Sequence, residues 1–214
     1  MKNIVILISG RGSNMESVVR ACAAEQWPAR IAAVISNKAD AKGLQFAQAH
    51  GIPTAVVPSK EFARREEFDA ALQKVIDGFA PDLVVLAGFM RILTARFVEH
   101  YAGRMLNIHP SLLPSFPGLD PHGQALKTGV KISGATVHFV IPETDAGPIV
   151  MQGAVGVDDD DTVETLSQRI LRVEHRIYPE ALRLLAEGKV RLEGDLCKIS
   201  GGTALGMLIS PAAK

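Results

Sequence analysis

The amino-acid sequence predicts an α/β fold: a single domain with a mainly parallel, twisted sheet that carries helices on both faces. Short, continuous apolar runs alternate along the chain with segments of helical periodicity. The runs end at small or polar residues, a pattern typical of strands that are buried on both faces of a parallel sheet. Strands and helices in alternation imply right-handed crossovers between parallel strands.

Five strands and four helices are predicted in the first half of the chain. The strands fall at residues 4–8, 31–35, 54–57, 83–87 and 105–108, and the helices at residues 14–24, 41–50, 61–79 and 94–101. In the third helix, Phe68, Leu72 and Val75 belong to an apolar stripe at helical spacing. No internal repeat and no linker interrupts this pattern, which favours one domain.

The pattern changes after His109, because four prolines between residues 110 and 121 exclude regular structure there. We expect a long, ordered loop at the carboxyl end of a strand, where open α/β sheets bind ligands. The elements predicted beyond it are a helix over 122–129, two paired strands over 135–141 and 149–157, and a long amphipathic helix over 163–188. Residues 201–214 lack periodicity, which predicts a loosely held tail.

The composition is that of a globular protein without a dominant charge. Of the 214 residues, 47% are hydrophobic and 21% are charged, which suffices for a sizeable core. Lys+Arg and Asp+Glu both total 23, so no positive field favours nucleic acid as a partner. The first apolar run is too short for a signal peptide or a membrane span. We therefore expect a cytoplasmic protein. Its partners are expected to be small molecules, and the sequence leaves monomer and homodimer open.

Residues 9–14, Ser-Gly-Arg-Gly-Ser-Asn, lie between the first strand and the first helix. Glycines there allow a tight turn, and the N–H groups at a helix start bind anions, so this turn is a candidate phosphate site. A dinucleotide fingerprint would need a glycine in place of Met15 and an acidic residue near Asn37, which disfavours NAD. The alternative is a glycine-rich turn in which Ser13 or Asn14 caps the helix.

Asn107 and His109 are the strongest catalytic candidates. Residues i and i+2 of a strand leave the backbone on the same side, so an amide donor and an imidazole share one face. Such a pair suits a developing tetrahedral oxyanion, and Asp145 in a later turn would favour the charged imidazolium by Coulomb attraction. This reading predicts acyl transfer without a covalent enzyme intermediate. The alternative is that all three side chains only cap loops.

Other polar residues have weaker functional interpretations. His138 lies inside a predicted strand and is more typical of a hydrogen-bonded core residue, whereas His122 could line the cleft or cap the following helix. The acidic run 158–161 could suggest a metal site, but it precedes a long helix, and residues 161–164 resemble a capping box, so capping is preferred and no metal is predicted. Two distant cysteines, Cys22 and Cys197, suggest neither a disulfide framework nor a zinc site.

Four segments, taken in this order, resemble the phosphoribosylglycinamide formyltransferase family. They are residues 7–14, residues 36–40, residues 86–93 (Leu-Ala-Gly-Phe-Met-Arg-Ile-Leu) and residues 106–114 (Leu-Asn-Ile-His-Pro-Ser-Leu-Leu-Pro), and the resemblance extends over residues 4 to about 192. It implies a Rossmann-like fold and transfer of a formyl group from 10-formyltetrahydrofolate, the co-substrate, to the amine of glycinamide ribonucleotide in purine synthesis. One formyltransferase domain over 1–214 would comprise a phosphate-binding half (about 1–100), a folate-binding and catalytic half (about 101–193) and a tail (194–214).

The resemblance also assigns residues to the two substrates. It implies that Asn107, His109 and Asp145 are the catalytic residues. The residues implied to bind the ribonucleotide are Gly12, Ser13, Asn14 and Glu174. The residues implied for the folate are Arg65, Met90, Arg91, Ile92, Leu93, Asn107, Ile141, Pro142, Glu143, Thr144 and Asp145. The chain departs from the family at Asp120, where a histidine is common, so a histidine contact cannot be carried over there.

Other formyltransferases share the Asn, His and Asp chemistry, so these three residues alone do not name the acceptor. A methionyl-tRNA formyltransferase would have a longer chain with a second domain and a basic surface, and a formyltetrahydrofolate hydrolase would have an additional N-terminal domain. The alternative from a different class is a non-catalytic nucleotide-binding module, in which the pairing of His109 with Asp145 would be accidental.

Overall fold

The computed structural model describes residues 1–202 and residue 210, and the chain forms two compact units. The first unit comprises Met1–Asn107 and Phe139–Pro142, and the second comprises Ile108–His138 and Glu143–Lys214. The first unit contains β1 (Lys2–Ile8), α1 (Ser13–Ala24), β2 (Ala29–Ser36), α2 (Lys42–Ala49), β3 (Thr54–Val56), a 3-10 turn (Ser59–Glu61), α3 (Arg65–Asp77), β4 (Leu83–Leu86), α4 (Ala95–His100) and the beginning of β5 (Met105–His109).

The elements that follow β5 lie in the second unit, apart from the last residue of β6. They are α5 (Pro121–Thr128), β6 (Ile132–Phe139), β7 (Ile149–Gly156), α6 (Val163–Ala186), β8 (Val190–Glu193) and β9 (Leu196–Ile199). Strands β6 and β7 are antiparallel, with Thr136 opposite Gln152, and β8 and β9 form a separate antiparallel pair.

The main sheet has seven strands in the order β3-β2-β1-β4-β5-β6-β7. The pairs β2–β3, β1–β2, β1–β4 and β4–β5 are all parallel. Because five of the seven strands are linked by these parallel pairs, the predicted α/β class with a mainly parallel sheet is confirmed.

Helices cover both faces of the sheet in the first unit. Val5 and Leu7 of β1 join a buried cluster with Phe68 and Leu72 of α3. Ile8 points to the other side, where α1 and α2 approach it. Every residue from Ile4 to Ile8 is fully buried. A strand that is covered on both sides cannot alternate apolar and polar residues, which explains the continuous apolar run in the sequence.

The structure corrects several predicted boundaries and adds one pair of strands. Helix α3 begins at Arg65 and not at residue 61, because Glu61 ends a 3-10 turn and Phe62 and Arg64 have extended backbones. Strand β6 starts three residues earlier than predicted and ends at Phe139. The pair β8–β9 was not predicted at all, although the two residues between the strands begin with Gly194, whose φ of 60° suits a tight hairpin turn.

The expected loose tail over residues 201–214 falls largely outside the described residues. Within the described residues, no helix combines the length and apolarity needed to cross a membrane, and no three His, Cys, Asp or Glu side chains group as metal ligands. Cys22 and Cys197 are both free thiols. Burial raises the pKa of both, to about 11 for Cys197, and the charge of Glu25 adds to the rise for Cys22.

Capping of α6 is confirmed, but it is shifted by one residue from the predicted box. Thr162 is the N-cap, and its hydroxyl and that of Thr165 exchange hydrogen bonds with each other's backbone N–H groups. Asp161 instead accepts two hydrogen bonds from the Arg169 guanidinium, at 2.6 and 2.9 Å. This pairing, helped by bonds from the Asp158 N–H and the Thr165 hydroxyl, lowers the pKa of Asp161 to about 2.

The paired Asp161 should stabilise the protein only while it is ionised. Its folded-state pKa of about 2 lies below the ordinary value of 3.8, so the stabilisation is present above about pH 4 and is lost as the pH falls toward 2. We expect Asp161→Asn to lower the free energy of unfolding by about 1 kcal/mol at pH 7, and the deficit to shrink below pH 4. Urea denaturation across this pH range measures it.

The exposed neighbour Asp160 provides the control, since Asp160→Asn should change the unfolding free energy little. A deficit for Asp161→Asn that stays constant from pH 7 to pH 2.5 would contradict this account of the pair.

Candidate active site

The turn between β1 and α1 forms a small pocket in the first unit. Gly12 is the N-cap of α1, with φ 73° and ψ 37°, and no side chain caps the helix. The alternative in which Ser13 or Asn14 caps α1 is therefore wrong. The pocket has a volume of about 240 Å³ and is lined by Ser9, Gly10, Arg11, Gly12, Ser13, Asn14, Ala87, Gly88 and Met90. An uncapped helix start in such a pocket can bind an anion through backbone donors.

Helix α2 packs directly on this turn through Gly43. The Gly43 N–H donates to the carbonyl of Gly10 at 3.1 Å. A Cβ at position 43 would lie 2.6 Å from Ile8 Cδ1 and 2.9 Å from the carbonyl oxygen of Arg11. Glycine at this position thus allows two backbone segments to approach closely and fixes the shape of the turn between β1 and α1.

The residues that the resemblance implies for the folate lie in both units, and those of the first unit surround the end of β4. Met90 and Ile92 are 75% and 67% exposed, and the Arg91 guanidinium lies 5.5 Å from the centre of the Phe68 ring. Leu93 packs against the core. The other members in this unit are Arg65, which is exposed as the first residue of α3, Ile141, which is half-buried, and Pro142, which is exposed.

Asn107 and His109 both lie on β5, separated by the buried Ile108. Asn107 is half-buried and stands opposite Leu86 of β4. Because side chains alternate along a strand, the amide and the imidazole leave β5 on the same side. The geometry of β5 therefore agrees with the sequence-based expectation for this pair.

The imidazole of His109 is buried and has an oxygen near each ring nitrogen. Its Nε2 lies 2.9 Å from the carbonyl oxygen of Phe116, and its Nδ1 lies 3.4 Å from Asp145 Oδ2. A carbonyl can only accept, so Nε2 carries a proton in this pairing. The side chains of His109 and Asp145 are only 7% and 10% exposed. This arrangement suits an imidazolium, which donates from both nitrogens.

The Asp145 carboxylate has two further neighbours in the second unit. Its Oδ2 accepts a hydrogen bond from the Gly118 N–H at 2.8 Å, and its Oδ1 lies 3.8 Å from His138 Nε2. His138 is thus a buried strand residue, as predicted, that also faces the acidic group. Sequence reasoning did not connect His138 with Asp145. The exposed Glu143 and Thr144 precede Asp145 in its turn.

The proline-rich loop after His109 is held by polar side chains of β6 and β7. The Thr136 hydroxyl donates to the carbonyl of Ser111 at 2.7 Å and accepts from the Leu113 N–H at 3.0 Å. The Gln152 amide donates to the carbonyl of Leu113 and to the Thr136 hydroxyl. These bonds support the predicted ordered loop, which brings the Phe116 carbonyl to His109.

Asp120, and not His122, caps α5. Its Oδ1 accepts from the Gly123 N–H at 3.1 Å, and its backbone is left-handed with φ 53°. The capping role considered for His122 is therefore wrong. Burial lowers the pKa of the half-buried His122. The nearby charge of Asp120 raises this pKa, and the positive charge of His109 lowers it further.

Glu174, which the resemblance implies for the ribonucleotide, is a buried residue of α6. Tyr178, one turn later, is fully buried, and its pKa lies well above the usual value because of burial and, second, the Glu174 charge. A buried carboxylate at this point needs polar company, so its position suggests a specific role on this helix.

A model of the formyl transferase family matches residues 2–182 of the chain. The chain is 46% identical to the phosphoribosylglycinamide formyltransferase of Escherichia coli strain K12, over 93% of this chain and 94% of that protein. It is 50% identical to the human trifunctional purine biosynthetic protein adenosine-3, over 91% of this chain. The chain spans about a fifth of the length of the trifunctional relatives that it matches.

A solved structure agrees with these similarities. The crystal structure of glycinamide ribonucleotide transformylase 1 from Symbiobacterium toebii superposes with a TM-score of 0.90 at 47% identity. The match covers 93% of this chain and 94% of that one. The similarity therefore extends over the whole fold and not only over the short segments that first suggested it.

Because Gly43 contacts the turn between β1 and α1 closely, a single methyl group added at position 43 should destabilise the protein. Gly43→Ala should lower the free energy of unfolding by about 1–3 kcal/mol, because the overlap with Ile8 and the Arg11 carbonyl outweighs the better helix propensity of alanine. Thermal unfolding measures the change.

Gly10→Ala is the matched control, since a Cβ at position 10 would meet nothing within 4 Å, and its unfolding temperature should stay near that of the wild type. Equal unfolding temperatures for the Gly43 variant and the wild type would show that α2 does not pack on the turn as described.

Proposed function

The chain belongs to the formyl transferase family, and from that premise we propose that it transfers a formyl group from 10-formyltetrahydrofolate to the amine of glycinamide ribonucleotide, a reaction of purine nucleotide synthesis. Relatives of matching length carry the name phosphoribosylglycinamide formyltransferase. One observation carries the proposal most directly: the buried imidazole of His109 lies 3.4 Å from Asp145, on the strand that also holds Asn107.

The proposed reaction is a direct attack without a covalent enzyme intermediate. The lone pair of the ribonucleotide amine forms a bond to the formyl carbon, and the carbonyl π pair moves to oxygen as an oxyanion. Asn107 donates a hydrogen bond to this oxyanion through its side-chain amide, and protonated His109 donates another through its ring. Rigid donors at the place where charge develops are the largest source of rate enhancement in acyl transfer.

The Phe116 carbonyl supports this role for His109. Its oxygen lies 2.9 Å from His109 Nε2 and so marks where an acceptor oxygen can sit relative to the ring. In the proposed reaction the oxyanion takes that place, and the loop carbonyl moves aside. Phe116 has a left-handed backbone with φ 56°, which is costly for a bulky residue, so the loop is not in its locally preferred conformation.

The protons balance over the two steps. The attacking amine loses one proton to water near Asp145, and this proton returns to His109 after His109 has protonated the folate nitrogen. When the intermediate collapses, the oxygen re-forms its double bond, the bond from carbon to the folate nitrogen breaks, and that nitrogen receives a proton from His109. Asp145 stabilises the imidazolium before this transfer by Coulomb attraction, which acts strongly because both side chains are mostly buried. No step requires a metal.

The binding residues proposed for each substrate follow the resemblance. Gly12, Ser13 and Asn14 bind the phosphate of the ribonucleotide, and Glu174 contacts its sugar or glycinamide portion. The folate is contacted by Arg65, Met90, Arg91, Ile92, Leu93, Asn107, Ile141, Pro142, Glu143, Thr144 and Asp145. We further propose a cytoplasmic enzyme of purine synthesis, monomeric or homodimeric, with no nucleic-acid or membrane partner.

The catalytic assignment predicts two inactive variants. Asn107→Ala and His109→Ala should each lower kcat by about a hundred- to a thousandfold, because each removes one oxyanion donor. Both should unfold within a few degrees of the wild type. Steady-state formyl transfer and thermal unfolding of the purified variants measure these effects.

His50→Ala is the control, since His50 is exposed at the end of α2, where its ring stacks on Phe46 and its Nδ1 lies 2.8 Å from the Phe46 carbonyl oxygen, and its kcat should stay near the wild-type value. If both active-site variants turn over at near wild-type rates, Asn107 and His109 are not the oxyanion donors.

The acceptor assignment predicts that loss of the formyl group depends on the ribonucleotide. Release of tetrahydrofolate from 10-formyltetrahydrofolate should be fast with glycinamide ribonucleotide present and near background without it. A coupled spectrophotometric assay under both conditions measures this. Release without the acceptor would identify a hydrolase. If the ribonucleotide alone shifts the melting temperature and tetrahydrofolate does not, the chain is a nucleotide-binding module.

A further inference from the structure

We propose that Ser9 is a positioning residue that couples the binding of the two substrates. Its hydroxyl connects the phosphate turn, residues 9–14, to the folate segment, Met90–Leu93. The inference rests on the proposed function, because it takes these two stretches as the sites of the ribonucleotide and of the folate. Both stretches belong to the first unit.

The Ser9 hydroxyl accepts one hydrogen bond and donates another. It accepts from the Met90 N–H at 2.7 Å and donates to Asn37 Oδ1 at 2.6 Å. The Ser9 backbone N–H also donates to the carbonyl of Gly88 at 3.2 Å. Ser9 and Asn37 are 5% and 4% exposed, so these bonds are shielded from water. The first residue of the phosphate turn thus holds the first residue of the folate segment.

Asn37 extends this connection across the edge of the sheet. Its side-chain nitrogen donates to the Ser59 hydroxyl at 3.2 Å, and the Ser59 N–H donates to the Asn37 carbonyl at 3.3 Å. Ser59, Asn37, Ser9 and Met90 follow the carboxyl ends of β3, β2, β1 and β4, which is their order in the sheet. Hydrogen bonds in such a chain polarise one another, so loss of the central hydroxyl weakens the whole connection.

Met90, Arg91 and Ile92 of the folate segment are exposed, although the Arg91 guanidinium lies over the Phe68 ring and Leu93 packs against the core. A second anchor lies just beyond the segment, where the Thr94 N–H donates to the buried Asp69 carboxylate at 2.7 Å. Ser9 and Asp69 therefore bracket a short stretch of backbone that must become ordered when a folate binds, and ordering has an entropic cost.

An anion bound at the phosphate turn would reduce that cost. Binding fixes the backbone of residues 9–14, including Ser9, and the fixed hydroxyl in turn holds the Met90 N–H. The folate then binds a segment that is already partly ordered, so its affinity rises. Coupling is reciprocal, and the folate must raise the affinity for the ribonucleotide by the same factor. Coupling factors in proteins are typically about 5 to 150.

The test is a calorimetric titration of two ligands that cannot react with each other. Tetrahydrofolate, which carries no formyl group, is titrated into the whole protein with and without saturating glycinamide ribonucleotide, and the titration is repeated in the reverse order. We expect the wild type to show coupling of about fivefold or more. In Ser9→Ala the factor should fall to near one, because the Met90 N–H loses its acceptor on the phosphate turn.

Ser17→Ala is the matched control. The Ser17 hydroxyl donates to the carbonyl of Asn14 at 2.8 Å, so this variant also removes a hydroxyl bond next to the phosphate turn but leaves the bond to Met90 intact. It should retain the coupling. The proposal would be overturned if Ser9→Ala and Ser17→Ala lost the coupling to the same extent, or if Ser9→Ala retained it. So would a large loss of affinity for the ribonucleotide alone in Ser9→Ala, which would mean that Ser9 only binds phosphate.

A second variant and a second measurement apply if Ser9→Ala does not fold. Asn37→Ala removes the acceptor that orients the Ser9 hydroxyl and should reduce the coupling factor. Hydrogen exchange of the Met90 amide in the wild type should slow when the ribonucleotide is added, and an unchanged exchange rate would refute the connection. A wild type that binds both ligands without coupling ends this inference alone, whereas one that binds neither ligand ends the proposed function as well.

Discussion

Strands β1 and β2 are buried along most of their length and carry polar side chains only near their ends, and this constraint shapes the first unit. Residues 4–8 of β1 are fully buried, and the first hydroxyl follows directly at Ser9. Strand β2 likewise ends at Ser36, before Asn37. Because the strands are parallel, their carboxyl ends lie at one edge of the sheet, so the few polar groups that the core excludes are brought together there. The turn of residues 9–14 and the serine–asparagine connection both arise in this way.

The second unit is shaped by a different constraint, because it holds a buried carboxylate that needs polar neighbours. Asp145 lies near the imidazoles of His109 and His138 and accepts a hydrogen bond from the Gly118 N–H. Part of this arrangement depends on backbone groups in left-handed conformations at Phe116, Gly118 and Asp145 itself. Such local partners hold the carboxylate in one place, as the catalytic role proposed for it requires.

Sequence reasoning identified the elements whose physical signal is local and strong. The continuous apolar runs gave the parallel strands, and the spacing of Asn107 and His109 gave their common face. Sequence reasoning placed the start of α3 too early, because the stretch from the 3-10 turn to Arg64 has a composition that is also found where helices begin. It missed β8 and β9, since four-residue strands without a fully buried residue leave little signal in the sequence. The roles of the Phe116 carbonyl and the Gly118 N–H could not be predicted, because these are backbone groups and the sequence specifies only side chains.

The Phe116 carbonyl also limits access to the imidazole of His109. It lies 2.9 Å from Nε2 while Nδ1 faces Asp145, and residue 109 is only 6% exposed. In the proposed reaction a substrate oxygen can therefore reach Nε2 only by exchanging places with this carbonyl, so substrate binding and rearrangement of the proline-rich loop become a single event.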